Sequence, residues 1–249
     1  MKLKLLSYNI RFGGRGREHR IAEVIRQVAP DLVVLQEATD PVVVARVAQA
    51  TGMLTHAALA DHSVGFISRI AIARHEWHYP AGSRHGVLEI ELTDGARVFG
   101  LHLSAMFSKW GEARRVREIG ALLESIRQHQ DGFHVLCGDF NTLAPGEILD
   151  ASRFPRWIRA MIWLSGRDIK RDTVRRLLDA GYVDGFRAQH PEDKGYTLPA
   201  WDPQVRLDYV FLPTRYAGRL TLCEVVTEPA VAAQASDHFP LLAEIELPE

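Results

Sequence analysis

Strand-length apolar runs recur along this chain, and two kinds of connection join them. Residues 21–28 carry apolar side chains at helical spacing until Pro30, and they separate the first two runs, KLLSYNI and LVVLQ. Only a short turn containing Gly95 separates two later runs, VLEIEL and RVFGLHL. Helical crossovers join parallel strands and tight turns join antiparallel strands, so both kinds of pairing must be present.

This mixture of crossovers and hairpins favours two packed β-sheets with helices on their outer faces. The chain has 249 residues and is 47% apolar, which is enough to bury a substantial core. No repeat or low-complexity linker marks a boundary. We therefore expect one domain over residues 1–249.

Charge, cysteine content and hydropathy exclude several classes of protein. The formal charge of -1 excludes a uniformly basic surface, so attraction to nucleic acid or anionic lipid must come from local patches. The two cysteines, Cys137 and Cys223, show no CxxC spacing, which argues against a disulfide framework and a thiolate zinc site. No apolar run approaches the roughly 20 residues of a membrane span, so we expect a soluble, cytoplasmic protein.

Local signals place three helices. Asp40 reads as an N-cap and Pro41 as the first helical residue, so a helix should begin there. Residues 111–129 form the longest helical pattern, with a predicted buried face of Ala113, Val116, Leu123 and Ile126. Residues 153–180 are also predicted to be helical.

Polar side chains gather where the predicted strands end. Strand ends on a rigid sheet are where functional sites are usually built. Hydrolysis of a phosphate ester needs a hard cation, an activated water, donors for the developing negative charge and help for the leaving oxygen. The residues that can supply these parts are Asn9, Glu37, His102, Asp139, Asn141, Asp208, Asp237 and His238.

Glu37 is the main candidate for a metal ligand. It ends an apolar strand, where a carboxylate is best tolerated beside a cation, and Mg²⁺ or Mn²⁺ prefers such oxygen ligands. Asp139 and Asn141 are two residues apart, so in extended backbone both side chains point the same way, and Gly138 allows a tight turn beside them. We predict that Asp139 accepts a proton from water and Asn141 donates to a phosphate oxygen.

A further carboxylate stands beside an imidazole at Asp237 and His238. Asp208 follows Arg206 and Leu207 in an apolar strand, and it is available to keep that imidazole protonated and oriented. A carboxylate-paired His238 would be a strong donor to phosphate.

Six short motifs follow one another along the chain: SYNI, LQE, LHLS, GDFN, RLDYVF and SDH. In this order they resemble the motifs of the endonuclease/exonuclease/phosphatase superfamily, the relatives of pancreatic-type DNase, over nearly the whole chain. The resemblance implies an α+β fold. It would be a four-layer α/β sandwich, in which two mostly antiparallel β-sheets pack face to face and are flanked by helices.

The resemblance also implies roles for the site residues. Asn9 and Asn141 would position the phosphate, and Asp139 would orient or deprotonate the nucleophilic water. Glu37 would bind Mg²⁺ or Mn²⁺, with Asn9 as a further candidate ligand. Asp237 would help to bind the metal or assist the leaving group.

Two histidines complete the implied site. His102 and His238 would contact phosphate oxygens, and Asp208 would pair with His238. In the superfamily the first of these histidines has an acidic or polar partner, for which His62 and Ser63 are the candidates here.

Departures from the superfamily pattern argue against two of its branches, the dedicated abasic-site nucleases and the tyrosyl-DNA phosphodiesterases. Abasic-site nucleases show an Asn-Gly-Ile-Arg-like turn where this chain reads NIRFGGRG, and they place Trp where Val205 stands. The tyrosyl-DNA phosphodiesterase branch reads GDTNLRD where this chain reads GDFNTLAPG. The segment TLPAWDPQVRLDYVF resembles both the PAW-containing loop of inositol-phosphate phosphatases and the TxPAW loop of generic bacterial members. Trp201 and Arg206 in this segment are candidate substrate-binding residues.

The clearest basic patch is the segment 153–176, where eight basic residues stand against Asp168 and Asp172, a balance of +6. Aromatic and aliphatic residues are interleaved with them, a mixture typical of surfaces that bind nucleic acid or an anionic membrane. The alternative is a helix whose face of Trp157, Met161 and Leu164 packs on the sheet while the arginines are solvated. No obligate protein partner is implied.

Together these residues predict a divalent-metal-dependent phosphoesterase that hydrolyses phosphodiester bonds, first of all in nucleic acid, by in-line attack of an activated water. One alternative is a phosphatase or phosphodiesterase of small phosphorylated metabolites, or of phospholipid or inositol-phosphate head groups. Another is a catalytically inactive binding scaffold. The scaffold ranks last because every expected catalytic position is filled.

Overall fold

The computed structural model describes residues 1–105, 108–153, 156, 159–160, 163 and 170–248. Much of the basic and aromatic segment 153–176, including Trp157, Met161 and Leu164 of its proposed packing face, lies outside the described residues. Its last residues belong to a helix, Asp172–Asp179, in agreement with the helix predicted there.

One sheet combines strands from the two ends of the chain. Its six strands within the described ranges are β1 (Lys2–Asn9), β2 (Leu32–Gln36), β3 (Thr55–Ala57), β4 (Val64–Ser68), β11 (Leu220–Val225) and β12 (Leu241–Glu246). They lie in the order β11-β12-β1-β2-β4-β3. β1 and β2 are parallel, and the other neighbouring strands are antiparallel.

The other sheet is built from the middle of the chain. Its six strands in the described residues are β5 (Ile72–His78), β6 (Val87–Leu92), β7 (Arg97–His102), β8 (His134–Asp139), β9 (Tyr182–Asp184) and β10 (Asp208–Pro213). They lie in the order β5-β6-β7-β8-β10-β9, and β7 and β8 are the parallel pair. The predicted hairpin joins β6 to β7, with Gly95 in the left-handed region at φ 86°.

Helices pack against both sheets. They are α1 (Glu18–Val28), α2 (Pro41–Thr51), α3 (Lys109–Ser125), α4 (Asp172–Asp179), α5 (Gly185–Gln189) and α6 (Ala232–Ala235). All of these except α5 cover the outer faces; α5, whose Phe186 belongs to the apolar cluster between the sheets, packs against both β10 and β11. The predicted start of α2 is confirmed, because the Asp40 side chain accepts a hydrogen bond from the Val42 backbone N–H at 3.0 Å. No helix in the described ranges has the length and apolar character needed to cross a bilayer.

Three apolar clusters define four layers. Leu6 of β1 belongs to the cluster shared with α1, α2 and α6, whereas its neighbour Leu5 belongs to the cluster between the two sheets. The third cluster joins the second sheet to α3 and α4. Both faces of β1 and β2 are therefore buried, which explains their continuous apolar runs. The predicted α+β sandwich of two mostly antiparallel sheets flanked by helices is confirmed.

The predicted buried face of helix α3 is confirmed only at its end, where Ile126 is buried and Leu123 packs against the same cluster. Ala113 of the predicted face is exposed, whereas Glu112, Arg115 and Glu118 are buried. Arg115 pairs with Glu112 at 2.8 Å, and Glu118 accepts a hydrogen bond from the Ser104 backbone N–H at 3.1 Å. Charged side chains are tolerated inside when partners satisfy them. Apolar spacing along α3 could not show these contacts, since Arg115 and Glu112 are both charged and Ser104 lies outside the helix.

The strand directions bring the functional ends of both sheets to one edge. β1 and β2 are parallel and end side by side, with Asn9 opposite Gln36. β7 and β8 are also parallel and end with His102 opposite Asp139. β10 begins at the same edge because it is antiparallel to β8, with Asp208 opposite Asp139. Three chemically active side chains of one sheet thus lie on adjacent strands.

Candidate active site

Asn9 links the two sheets at this edge. It is buried at the end of β1, and its Nδ2 lies 3.1 Å from Asp139 Oδ2 and 3.3 Å from Glu37 Oε1. Its Oδ1 accepts the Arg11 backbone N–H at 2.9 Å. The amide therefore holds two carboxylates from different sheets close together, and an apolar residue at position 9 would leave both without this donor.

Glu37 directly follows β2 and is half-buried. Its backbone is left-handed, with φ 55°, and this turn directs the chain away from the sheet. Glu37 Oε2 accepts the Phe12 backbone N–H at 2.6 Å. The carboxylate is thus held at the cleft by the loop after β1 rather than by a salt bridge.

Asp139 stands at the centre of the site. It is buried at the end of β8, beside Gly138, whose φ is 147°. A Cβ at position 138 would lie 2.0 Å from the Leu101 carbonyl oxygen, so only glycine allows β8 to approach β7 here. This close approach places Asp139 beside His102.

Asn141 reaches the cleft by a different route from the one predicted. β8 ends at Asp139, and Asn141 adopts a left-handed φ of 51°, so the two residues do not share an extended backbone. The Asn141 backbone N–H donates to Asp139 Oδ1 at 2.9 Å, and its Nδ2 donates to the Leu103 carbonyl at 3.0 Å. The prediction that both side chains point the same way from a strand was wrong, because asparagine tolerates the left-handed turn that follows Asp139.

Two imidazoles flank the Asp139 carboxylate. Its Oδ2 lies 3.7 Å from His102 Nε2 and 3.8 Å from His238 Nε2. His238 Nδ1 is 2.8 Å from Asp208 Oδ2, so the predicted pair of Asp208 and His238 is present. Nδ1 of His238 is thus occupied, and Ser63 occupies Nδ1 of His102, which leaves both Nε2 atoms directed at the same carboxylate.

Burial and the neighbouring charges give the two imidazoles opposite protonation states. Burial lowers the pKa of His102 to about 3, and repulsion from neighbouring basic groups, His85 first and then His238, adds to this effect. Burial also acts to lower the pKa of His238, but the attraction of Asp208 and Asp139 prevails and raises it to about 10. At neutral pH His102 is therefore neutral and His238 is a cation.

The pKa of Asp139 is also displaced. Burial raises it to about 7, although His238 acts in the opposite direction. A carboxyl group that titrates near neutral pH is suited to accept and release a proton.

Ser63 supplies the partner of His102. Its hydroxyl forms a hydrogen bond with His102 Nδ1. His62, the other candidate, uses its Nδ1 on the Ala60 carbonyl at 2.8 Å. When the Ser63 hydroxyl donates, the neutral His102 ring carries its proton on Nε2 and becomes a donor toward the cleft.

Asp237 and Trp201 lie near Arg11. Arg11 Nε is 3.3 Å from Asp237 Oδ2, and the guanidinium carbon is 5.7 Å from the centre of the Trp201 ring. The Trp201 side chain is 61% exposed, so it is open to a ligand. The proposed metal contact of Asp237 and substrate contact of Trp201 stay predictions.

Arg206 occupies a position that a substrate cannot reach. It is 0% exposed, and its guanidinium donates to Asp184 at 2.6 and 2.9 Å and to Glu147 at 2.7 Å. It also lies 4.3 Å from the centre of the Tyr209 ring. The predicted substrate contact does not fit this environment, and we assign Arg206 a structural role instead.

Sequence reasoning overlooked Arg84 and His85. They precede β6, and no local motif distinguishes them; only the tertiary fold brings them to the cleft. The His85 ring stacks on His102, with ring centres 4.9 Å apart and planes 3° from parallel. The cleft encloses about 290 Å³ and is lined by Glu37, Thr39, Asp61, Ser63, Arg84, His85, His102, Ala105, Asp139, Asn141 and His238.

The sequence profile of the endonuclease/exonuclease/phosphatase family matches residues 6–238. The chain belongs to this family. Exodeoxyribonuclease III of Haemophilus influenzae is a relative that is 24% identical over 98% of this chain and 100% of its own length. As a family member the chain is a phosphoesterase of the nuclease and phosphatase type, and the superfamily indicated by its six motifs is confirmed.

Solved structures share the fold. A 3′ phosphatase from Neisseria, bound to a product DNA hairpin, superimposes with a TM-score of 0.72 at 20% identity and covers 98% of this chain and 100% of that chain. An AP endonuclease from Archaeoglobus fulgidus has a TM-score of 0.71 at 18% identity, with the same two coverages. At these identities the likeness shows the fold alone.

The endonuclease/exonuclease/phosphatase family implies a divalent cation, and the donor chemistry fits one. Glu37 presents a half-buried carboxylate to the cleft, and hard cations prefer such oxygen ligands. In the described part of the chain, no three histidine, cysteine or acidic side chains group closely enough to enclose an ion. Mg²⁺ typically keeps several waters and uses one or two carboxylates plus substrate oxygens, so an open site of this kind suits it.

Proposed function

We propose that this protein is a Mg²⁺- or Mn²⁺-dependent phosphodiesterase that hydrolyses nucleic acid by in-line attack of water. The observation that carries the proposal is the position of Asp139. This one buried carboxylate is held by Asn9 and faced by two imidazoles in opposite charge states. Such an arrangement provides a proton acceptor and two kinds of donor around a single phosphate-sized space.

Asp139 is the proposed base. It orients the attacking water and takes its proton as the water oxygen bonds to phosphorus and the bond to the leaving oxygen breaks. Its pKa of about 7 matches this task near neutral pH. Asp237, beside Arg11, is proposed to assist the leaving oxygen or to help bind the metal.

The donors act on the phosphate oxygens. His238 is a cation held by Asp208, and it offers Nε2–H to an oxygen that gains negative charge. His102 offers a neutral Nε2–H, held in place through Ser63. Asn9 and Asn141 are proposed to position the phosphate between these groups.

Glu37 is the residue proposed to hold the cation, with Asn9 and Asp237 as further candidate ligands. A bound Mg²⁺ or Mn²⁺ would neutralise the phosphate oxygens and so favour attack by an anionic nucleophile. The chain's own contribution is a half-buried Glu37 carboxylate held by the Phe12 N–H.

The choice of nucleic acid as substrate is supported by the relatives and by Arg11 and Trp201. One relative is an exodeoxyribonuclease, and a structure of the same fold holds a DNA hairpin. An exposed Trp201 beside Arg11 suits stacking on a base and contact with its phosphate. A single domain over residues 1–249 and a cytoplasmic location remain part of the proposal.

The test is a hydrolysis panel with Mg²⁺, with Mn²⁺ and with EDTA. Its substrates are DNA, RNA, a simple diester, a simple monoester and lipid head groups, and the proteins are wild type, Asp139→Asn and the control Asp131→Asn. Asp131 is a suitable control because its side chain is 99% exposed and lies outside the cleft. We expect metal-dependent cleavage of the nucleic acids that is lost only in Asp139→Asn.

Each other outcome selects another function. Activity on monoesters alone would make the protein a phosphatase. Cleavage of lipid head groups in preference to nucleic acid would favour a lipid phosphodiesterase. Activity that survives in Asp139→Asn would refute the proposed role of this carboxylate, and silence on every substrate would favour the binding scaffold.

A further inference from the structure

Arg84 is a cation in the catalytic cleft that the proposed mechanism does not use. It lies between β5 and β6 and lines the same cleft as Asp139, Asn141 and His238. Its side chain is exposed. It therefore faces the space in which the phosphate ester would be hydrolysed.

The backbone around Arg84 is held on two sides. The Arg84 N–H donates to Glu118 Oε1 at 3.1 Å, and the same buried carboxylate accepts the Ser104 hydroxyl at 2.6 Å. On the other side, the His85 ring stacks on His102. These contacts fix the backbone that carries Arg84 relative to a proposed catalytic histidine, and they explain why α3 buries Glu118.

The guanidinium of Arg84 has no ion pair or hydrogen bond with any side chain in the described ranges. Other arginines near the site do have acidic partners: Arg11 pairs with Asp237 at 3.3 Å, and Arg114 pairs with Glu118 at 3.5 Å. The positive charge of Arg84 acts inside the cleft, since it contributes, after burial and the neighbouring histidines, to the lowered pKa of His102. An unpaired cation on an anchored backbone is prepared for an anionic ligand.

We propose that Arg84 binds a second phosphate of the nucleic acid, the one that neighbours the scissile phosphate. The inference rests on the proposed function, because His102, His238 and Asn141 are already assigned to the scissile phosphate. The planar guanidinium can donate to two oxygens of one phosphate at once. The scissile phosphate already has its own donors, so a neighbouring phosphate is the better ligand for Arg84. The preferred substrate is thus a chain with at least two phosphates rather than an isolated diester.

The test combines an arginine substitution with a chemically altered substrate. Wild type, Arg84→Ala and Arg84→Gln are assayed on a short oligonucleotide with natural phosphates, and on versions in which the phosphate on either side of the cleaved bond is a neutral methylphosphonate. Arg69→Ala is the matched control. Arg69 is also exposed, but it follows the far end of β4, away from Ser63 and the cleft. Thermal melting of each variant checks the fold.

We expect both Arg84 variants to raise KM on the natural oligonucleotide by about fivefold to twentyfold with little change in kcat, and to lower the slope of log KM against log salt by about one. On the substrate that carries methylphosphonate at the contacted position, the variants and wild type should differ by less than about twofold, because the contact is already absent. Arg69→Ala should match wild type on every substrate.

The possible results distinguish a failure of this inference from a failure of the proposed function. If wild type does not cleave nucleic acid, both the proposed function and this inference are refuted. Cleavage by wild type with an unchanged KM in both Arg84 variants would overturn the inference alone. An equal loss on natural and neutral substrates, or a loss in Arg84→Ala without one in Arg84→Gln, would also overturn it, because the effect would then not come from a contact between charges.

Discussion

The charge state of His238 depends on Asp208, and the substitution Asp208→Asn tests this dependence. Asp208 Oδ2 lies 2.8 Å from His238 Nδ1 inside the protein. Burial acts to lower the pKa of His238, whereas Asp208 provides the largest attraction that raises it to about 10. Asparagine keeps the shape of the side chain and removes its charge. We expect the pKa of His238 to fall toward or below its ordinary value in this variant, because burial is then opposed only by more weakly acting carboxylates.

The size of the effect follows from the displaced pKa. A rise from 6.5 to about 10 corresponds to roughly 5 kcal/mol in favour of the protonated ring, at about 1.36 kcal/mol per pKa unit. Losing a donor that acts on the transition state typically lowers kcat by about 10² to 10³, so a decrease of that order is expected near pH 7. In wild type, kcat should decline on the alkaline side as His238 loses its proton, and in Asp208→Asn this decline should move to lower pH.

The same displacement makes stability depend on pH. The folded pKa of His238 lies above its unfolded value, so the protonated ring stabilises the fold fully below about pH 6.5. This contribution is lost as the pH rises toward 10. The free energy of unfolding of wild type should therefore decrease over that interval by up to a few kcal/mol, whereas Asp208→Asn should show a smaller decrease.

The assay is a profile of kcat against pH, paired with an NMR titration of the histidine ring carbons. Asp131→Asn serves as the control for removal of an exposed carboxylate. A His238 ring that titrates at the same pH in wild type and Asp208→Asn would refute the electrostatic reasoning, whatever the activity of the variant.

Three further predictions concern other parts of the site. Gly138→Ala should lower the free energy of unfolding by about 3 kcal/mol or more, as measured by chemical denaturation, because the new Cβ would lie 2.0 Å from the Leu101 carbonyl oxygen. The control Gly132→Ala should lower it far less, because its Cβ would meet only a carbonyl oxygen at 3.5 Å. Arg206→Met should destabilise by roughly 3–5 kcal/mol, since Asp184 and Glu147 lose their buried partner, whereas Arg215→Met at an exposed pair should change stability by less than about 1 kcal/mol; equal thermal shifts would contradict the structural role of Arg206. Glu37→Gln should raise the Mg²⁺ concentration for half-maximal activity by about tenfold or more, as removal of the main carboxylate ligand implies; a metal titration of activity that coincides with wild type would rule out Glu37 as the ligand.

Much of the architecture could be predicted because its causes are local. The cap at Asp40 and the turn at Gly95 act through the backbone of their immediate neighbours, and both occur where they were expected. The apolar runs of β1 and β2 read correctly as strands because both faces of that sheet are covered. The pair of Asp208 and His238 was also anticipated, since both belong to motifs of the family.

The failures have a common physical origin. Glu112 and Arg115 are buried in α3 as an ion pair. Residues outside the helix complete their hydrogen bonds and those of Glu118, and no apolar periodicity along one helix records such partners. The sequence places Arg206 next to the site as a cation, yet its guanidinium donates to Asp184, which is distant in sequence. Asn141 does not have the predicted extended backbone, because it adopts a left-handed conformation in the turn after Asp139.

The sequence by itself indicated the candidate residues for the chemistry, because hydrolysis of a phosphate ester requires particular side-chain types and these stand at the ends of apolar strands. Only the tertiary structure decided how those side chains are charged and what else joins them. The pKa values of His102 and His238 diverge because burial acts on both rings, while carboxylates oppose it at one of them. Arg84 and His85 directly precede β6, which lies beside β7 in the predicted hairpin. No motif marks these two residues, and only the structure shows the His85 ring stacked on His102 and both residues in the cleft.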